Sequence, residues 1–260
     1  MPLKPKTVPP KKSTTNTAPD WPPLHPPLAP QKQRLTSLLP SAILTTPLLP
    51  APLAQTYRSF LATLPLTTTP FPKKRDHALR VNDRFSVSDA TFASRLWHDT
   101  GLATLVQSGH MDGEDLTAKE RAELWGGEVL GLNSNIRIYR YREGQFFDRH
   151  YDEENLVTFE DGKGGEKIKG RTTWTLLVYL SGRETGCEGG ETVFWPDEDS
   201  AGGFGKGRGE NGDGQGEVVA EMEVGLALLH RHGRECLLHE GREVKRGEKW
   251  VIRSDLVVRR

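Results

Sequence analysis

The chain has 260 residues, and its 35 lysines and arginines are balanced by 35 aspartates and glutamates, so the formal net charge is zero. That balance excludes a whole-domain electrostatic grip on nucleic acid or anionic lipid, each of which needs a basic excess, and no apolar run approaches the roughly 18 residues of a membrane helix. Two cysteines, Cys187 and Cys236, exclude a disulfide scaffold and favour a reducing compartment. With no apolar segment behind the N-terminal lysines to form a secretory signal, the expectation is a cytoplasmic or nuclear protein without nucleic-acid or membrane partners.

Composition divides the chain. Of the 18 prolines, 17 precede residue 73, whereas all 27 glycines lie at or after Gly101. Residues 1–33 hold ten prolines and few large apolar side chains, which predicts a disordered arm that cannot offset the entropy of ordering. In this arm and just after it, Lys4, Lys6, Lys11, Lys12, Lys32 and Arg34 face Asp20 alone. A solvated tail is the plain reading; a polyproline ligand for a partner domain is the alternative.

Residues 34–260 read as one domain, with helical support over about 50–130 and a strand-rich core over about 131–260. Leu53, Tyr57, Phe60, Leu61 and Leu64 fall at helical spacing until Pro65. A second helix is expected after Ser88, carrying Phe92, Leu96 and Trp97 and ending at Gly101. Thr117 and Glu120 form a capping-box pattern for a third. Asn135-Ile-Arg-Ile-Tyr-Arg-Tyr141 then alternates, and Thr173-Trp-Thr-Leu-Leu-Val-Tyr-Leu180 is nearly continuous in apolar and β-prone residues. Shorter strands are expected at 191–195, 218–222, 226–230, 236–239 and 249–258, the pattern of a sandwich or barrel. Residues 202–216, with eight glycines, read as a flexible surface loop.

The informative segment for chemistry is Tyr141-Arg-Glu-Gly-Gln-Phe-Phe-Asp-Arg-His150-Tyr-Asp152. Residues i and i+2 of a strand share a face, so His150 and Asp152 would present an imidazole and a carboxylate together. Alone, such a pair is more often a local hydrogen bond. A later histidine, His239, followed ten residues on by Lys249, adds to it. Two histidines and one carboxylate on one face of an octahedral metal leave positions open for a cosubstrate and dioxygen, which suits Fe(II). Alternation along the last strand puts Lys249, Val251, Arg253 and Asp255 on one face and Trp250 and Ile252 on the other.

Taken in order, Arg80-Val-Asn-Asp-Arg84, the segment Tyr141 to Asp152, Gly189-Gly-Glu-Thr-Val-Phe194, and His239 with Lys249-Trp250 resemble the catalytic domain of the prolyl 4-hydroxylase family of Fe(II)/2-oxoglutarate dioxygenases, over about residues 80–258. The resemblance implies a mostly β fold with supporting helices, a double-stranded β-helix or jelly roll. It implies His150, Asp152 and His239 as iron ligands and catalytic centre, and Lys249, Tyr141 and Thr175 as 2-oxoglutarate residues. It also implies ascorbate as a supporting reductant, and Arg80, Asn82, Arg84 and Arg253 near the substrate. The implied reaction couples decarboxylation of 2-oxoglutarate to hydroxylation of a prolyl residue in an intracellular protein or peptide, releasing succinate and CO2. One departure stands out: Asp255 occupies the position, six after the lysine, where secreted members carry tryptophan.

Alternatives remain at this stage. His230 and His232 could compete for the metal, with Arg242 ten residues after His232, although His230-Arg-His232-Gly233 reads more simply as a strand end turning at glycine. A zinc hydrolase using Glu153 or Glu154 leaves Lys249 and Tyr141 without a task. A small-molecule or non-prolyl substrate, or an inactive binding module recruited through its arm, are the other readings.

Overall fold

The computed structural model describes residues 17–69, 78–196 and 216–260. Four helices and eleven strands carry the architecture. In chain order they are β1 (Thr36–Leu39), β2 (Ile43–Pro47), α1 (Ala51–Leu61), β3 (Asp83–Ser88), α2 (Ala90–Asp99), α3 (Leu102–Ser108), α4 (Ala118–Trp125), β4 (Asn135–Arg142), β5 (Phe147–His150), β6 (Ile168–Tyr179), β7 (Thr192–Phe194), β8 (Val218–Ala220), β9 (Leu226–Arg231), β10 (His239–Gly241) and β11 (Glu248–Arg259).

The larger sheet runs β1-β2-β9-β6-β11-β4-β3, and a smaller one runs β8-β7-β10-β5, with neighbours antiparallel throughout. Together they form a double-stranded β-helix, the jelly roll that the motifs imply. Period-two alternation explains both faces of the large sheet. Trp174, Leu176 and Val178 on β6, with Trp250, Ile252 and Leu256 on β11, are buried in one core with side chains of α1 to α4. The intervening residues Thr175, Leu177, Lys249, Val251 and Arg253 line a cavity between the sheets. Burying each large side chain of the helical core contributes about 1.5–3 kcal/mol, and that layer holds the polar face of the sheet in place.

The helices follow local chemistry. Asp89 caps α2, its Oδ1 accepting from the Phe92 N–H at 2.8 Å, and Thr117 and Glu120 close a reciprocal capping box on α4. α2 ends just before Gly101 as expected, but a further helix follows that the sequence did not suggest. Gly101 sits at φ 83°, a left-handed junction from which α3 departs at once. Nor is the span 50–130 purely helical, because β3 joins the large sheet, as do β1 and β2 ahead of it.

The arm is shorter than composition predicts. Trp21 and Leu24 are only 7% and 1% exposed. The Trp21 ring stacks on Phe92 at 3.9 Å, its Nε1–H donates to Asp89 Oδ2 at 2.8 Å, and the Pro22 carbonyl accepts from the Tyr57 hydroxyl at 2.6 Å and from Arg95. Proline-rich composition lowers helix and strand propensity, but two large apolar residues suffice to dock a segment once α1 and α2 offer a receiving surface. The rest of the expected arm, residues 1–16, and the glycine-rich loop, apart from Gly216, lie outside the described residues. Cys187 and Cys236 are buried and not joined in a disulfide.

Candidate active site

The cavity between the sheets gathers His150, Asp152, Thr175, His230, His239, Lys249 and Arg253. Strands β5 and β10 lie side by side with His150 directly opposite His239 in register, their ring centroids 4.2 Å apart. Asp152 follows β5 by two residues, and its carbonyl accepts from the Gly233 N–H at 2.8 Å, which ties this loop to the turn after β9. One donor atom each from His150, Asp152 and His239 lies within 4.8 Å of the other two.

The two imidazoles are set in the same way. Nδ1 of His150 lies 2.7 Å from the Asp148 carbonyl, and Nδ1 of His239 lies 2.9 Å from the Leu237 carbonyl. A carbonyl only accepts, so the proton resides on Nδ1 and the lone pair on Nε2. Those Nε2 atoms face the Asp152 carboxylate, His150 at 3.8 Å from Oδ1 and His239 at 3.8 Å from Oδ2. Burial and the neighbouring His239 lower the His150 pKa to about 3, so it is neutral across the physiological range. Burial works against ionisation of Asp152, but the Arg253 guanidinium overrides it and holds the carboxyl well below the usual range. Two imidazoles and one carboxylate are the donor types that bind a divalent first-row metal.

Asp152 is itself held asymmetrically. Its Oδ2 accepts from Arg253 Nη2 at 2.8 Å and from the Thr175 hydroxyl at 2.9 Å, whereas Oδ1 has no hydrogen-bond donor among the described residues. One oxygen is thereby fixed to the protein and the other left for a ligand.

At the far end of the cavity Lys249 lies opposite Tyr141 in register. It is 4% exposed, its Nζ donates to the Gly190 carbonyl at 2.6 Å, and the ammonium stands 5.5 Å from the ring centroids of both Tyr141 and Tyr179. Burial lowers its pKa to about 8, and burial likewise pushes the Tyr141 hydroxyl up. No carboxylate pairs with Lys249 among the described residues. A buried cation without a counter-ion carries a desolvation penalty that an anionic ligand would relieve. Gly190 makes the close approach possible: at φ 80°, a Cβ there would lie 3.3 Å from Lys249 Cδ and 3.0 Å from Val244.

Some expected positions differ. Asn82 is fully buried and accepts from the Thr69 hydroxyl at 2.9 Å, so it does not face a substrate. Arg253 sits beside the carboxylate and also lines the groove that opens onto it. Thr175 lines the cavity but spends its hydroxyl on Asp152 instead of on the Lys249 end. Arg80 and Arg84 do line a groove of about 950 Å³ that opens onto His150 and Asp152, together with Arg137 and Arg149. Arg80 lies over Tyr139 and Phe147, 5.4 and 5.0 Å from the ring centroids.

His232 is withdrawn from the centre, its nitrogens 3.1 and 2.9 Å from the hydroxyls of Thr175 and Thr172. Arg242 pairs with Glu217 at the surface, and Glu154 with Arg171. His230, weighed as a competing metal ligand but read more simply as a strand end, is turned into the cavity by β9 with Nε2 3.8 Å from Asp152 Oδ2. Its place follows from the register opposite Thr175 on β6, which the sequence alone does not give. Asp255 is buried, ion-paired to Arg137 and 3.6 Å from Arg253 Nε. The position that departs from the secreted enzymes is therefore a counter-charge behind the site.

Residues 136–254 match the family model of the 2OG-Fe(II) oxygenase superfamily. The matched stretch contains every cavity residue named above, and over it the chain is similar to the oxygenases of that superfamily. No curated protein matches in sequence. Among solved structures, similarity extends to the viral collagen prolyl hydroxylase of Paramecium bursaria Chlorella virus-1, determined as a 2-oxoglutarate complex (16% identity, 84% of this chain and 96% of that one, TM-score 0.45). A Pseudomonas putida prolyl-4-hydroxylase is 14% identical over 84% of this chain and 94% of that one, with TM-score 0.49. HygX of Streptomyces hygroscopicus, with nickel and 2-oxoglutarate bound, is 16% identical over 84% and 83%, with TM-score 0.47. At these values the likenesses transfer no residue roles, which rest on this chain's own geometry.

Proposed function

We propose that the chain hydroxylates a prolyl residue of a protein or peptide, with Fe(II) held by His150, Asp152 and His239 and the distal carboxylate of 2-oxoglutarate held by Lys249 and Tyr141. The observation that carries this reading is the pairing of two unmet needs in one cavity. An ionised carboxylate with a free oxygen faces two Nε2 lone pairs, and a buried lysine without a counter-ion lies on the same strand as the arginine that holds that carboxylate. A metal answers the first need and a dianion the second.

The chemistry that Fe(II) and 2-oxoglutarate supply when bound is oxidative: one atom of dioxygen goes to the substrate, the other to succinate, and CO2 is released. The protein's own share is orientation. Arg253 and Thr175 hold Asp152 Oδ2, the carbonyls of Asp148 and Leu237 fix the imidazole tautomers, and Tyr139, Tyr141 and Phe147 surround the site with apolar surface.

The ordered motifs in the sequence support a prolyl target. The arginine-lined groove supports a polypeptide with acidic flanks, recognised by charge complementarity. Ascorbate, as a reductant that sustains turnover, belongs to the same reading. The test is succinate release from 2-oxoglutarate with Fe(II) and a pool of proline-containing peptides, followed by mass spectrometry. A gain of one oxygen on proline is expected; a gain on a small molecule or on lysine would reject the prolyl target.

A further inference from the structure

A second set of metal-ligating side chains lies against the first. One donor atom each from His230, Cys236 and His239 lies within 4.8 Å of the other two, and all three residues are buried. β9 supplies His230, β10 begins at His239, and Cys236 follows the tight turn Gly233–Glu235 that joins these strands. The Cys236 sulfur stands 3.8 Å from Nδ1 of His239, accepts the Asp152 N–H at 3.2 Å and lies 3.4 Å from the Leu237 carbonyl. The rings of His230 and His239 are 4.6 Å apart, and Phe194 flanks both at 5.3 and 5.4 Å, closing the cluster on its apolar side.

We propose that His230, Cys236 and His239 form a thiophilic metal site that takes Zn2+ and, in doing so, withdraws His239 from the oxygen-containing set. Ligand softness separates the two. A carboxylate with two imidazoles suits Fe(II), whereas one thiolate with two imidazoles is a zinc donor set. Zn2+ stands above Fe2+ in intrinsic affinity for such ligands, and the thiol proton passes to solvent as sulfur coordinates. A neutral imidazole has one lone pair, so His239 serves one ion at a time. Zinc loading is then a built-in means of switching the dioxygenase off. The competition rests on the reading of His150, Asp152 and His239 as the iron set; the thiolate set does not.

The test is an anaerobic titration of the reduced full chain with Co2+, followed by absorption, with Zn2+ affinity measured by competition. A thiolate-to-cobalt charge-transfer band is expected in the wild type. It should persist in Cys187→Ser and in His150→Ala, which removes a ligand of the iron set only. It should vanish in Cys236→Ser, with Zn2+ affinity at least tenfold weaker there and in His230→Gln. No band in the wild type, or a band that survives Cys236→Ser, overturns the proposal. Loss of the band in His150→Ala, with the far-ultraviolet circular dichroism unchanged, overturns it as well, because sulfur would then belong to the iron centre. Failure of the iron reading shows separately, as Fe(II)-dependent succinate release that survives His150→Ala.

Discussion

Arg253 and Asp152 form a buried ion pair, Nη2 to Oδ2 at 2.8 Å, at the mouth of the cavity between the sheets. Removing the guanidinium strands the carboxylate, so Arg253→Ala is expected to destabilise the metal-free protein by about 3–5 kcal/mol, with partial recovery in Arg253→Lys. The sign of the pH effect follows from the lowered pKa of Asp152. Its contribution is present above the unfolded carboxyl value of about 3.9 and is lost as pH falls below it. In Arg253→Ala the folded carboxyl is no longer held down by the guanidinium, so that acid-dependent loss should be smaller. Melting temperature against pH in the presence of a chelator measures both.

Lys249 should set the affinity for 2-oxoglutarate. Lys249→Ala removes a charge-assisted bond typically worth about 1.5–3 kcal/mol, or roughly ten- to 150-fold in affinity. Burial lowers its pKa to about 8, so affinity should fall as pH rises through that value and the ammonium loses its proton. In the metal-free, cosubstrate-free protein the sign reverses. Burying the charged lysine opposes folding below about 8, and that cost is relieved as pH rises toward the unfolded value of about 10.4. Calorimetry with Mn2+ in place of Fe2+ reads the first effect, and denaturant unfolding against pH the second.

Trp21 anchors the N-terminal segment, stacked on Phe92 and bonded to the residue that caps α2. Trp21→Ala is expected to cost about 3 kcal/mol by cavity formation, and deletion of residues 1–33 at least as much. Urea unfolding monitored by circular dichroism checks this; an unchanged midpoint would mean that the segment does not dock.

How far the sequence disclosed the molecule depended on whether local pattern or distant contact decided a feature. β4, β6 and β11 were legible because period-two alternation is a local property, and it put Lys249 and Arg253 on the cavity face and Trp250 on the helical face. The capping box at Thr117 was legible for the same reason. The docking of Trp21 was not, because composition says nothing of a receiving surface contributed by α1 and α2. Nor was the helix after Gly101, since a glycine at positive φ serves equally as a stop and as a junction. In the site, spacing brought out His150, Asp152 and His239, but Arg253 against Asp152 and His230 beside His239 depend on the register of β9, β6 and β11, which no single segment encodes.

The groove arginines should govern substrate choice. Arg80→Glu and Arg84→Glu are expected to raise KM for a proline peptide with acidic flanks about tenfold and to leave decarboxylation without peptide nearly unchanged, because neither side chain touches the cavity ligands. Peptides with basic flanks should show the opposite trend. Steady-state kinetics on matched acidic and basic peptides distinguishes this from a general loss of fold.

The most direct test of the central claim is succinate formation from 2-oxoglutarate and Fe(II) under isotopically labelled dioxygen, compared between His239→Ala and His232→Ala. One labelled oxygen is expected in succinate for the wild type and for His232→Ala, and no succinate above background for His239→Ala. Labelled succinate from His239→Ala, with loss in His232→Ala, would contradict the site described here.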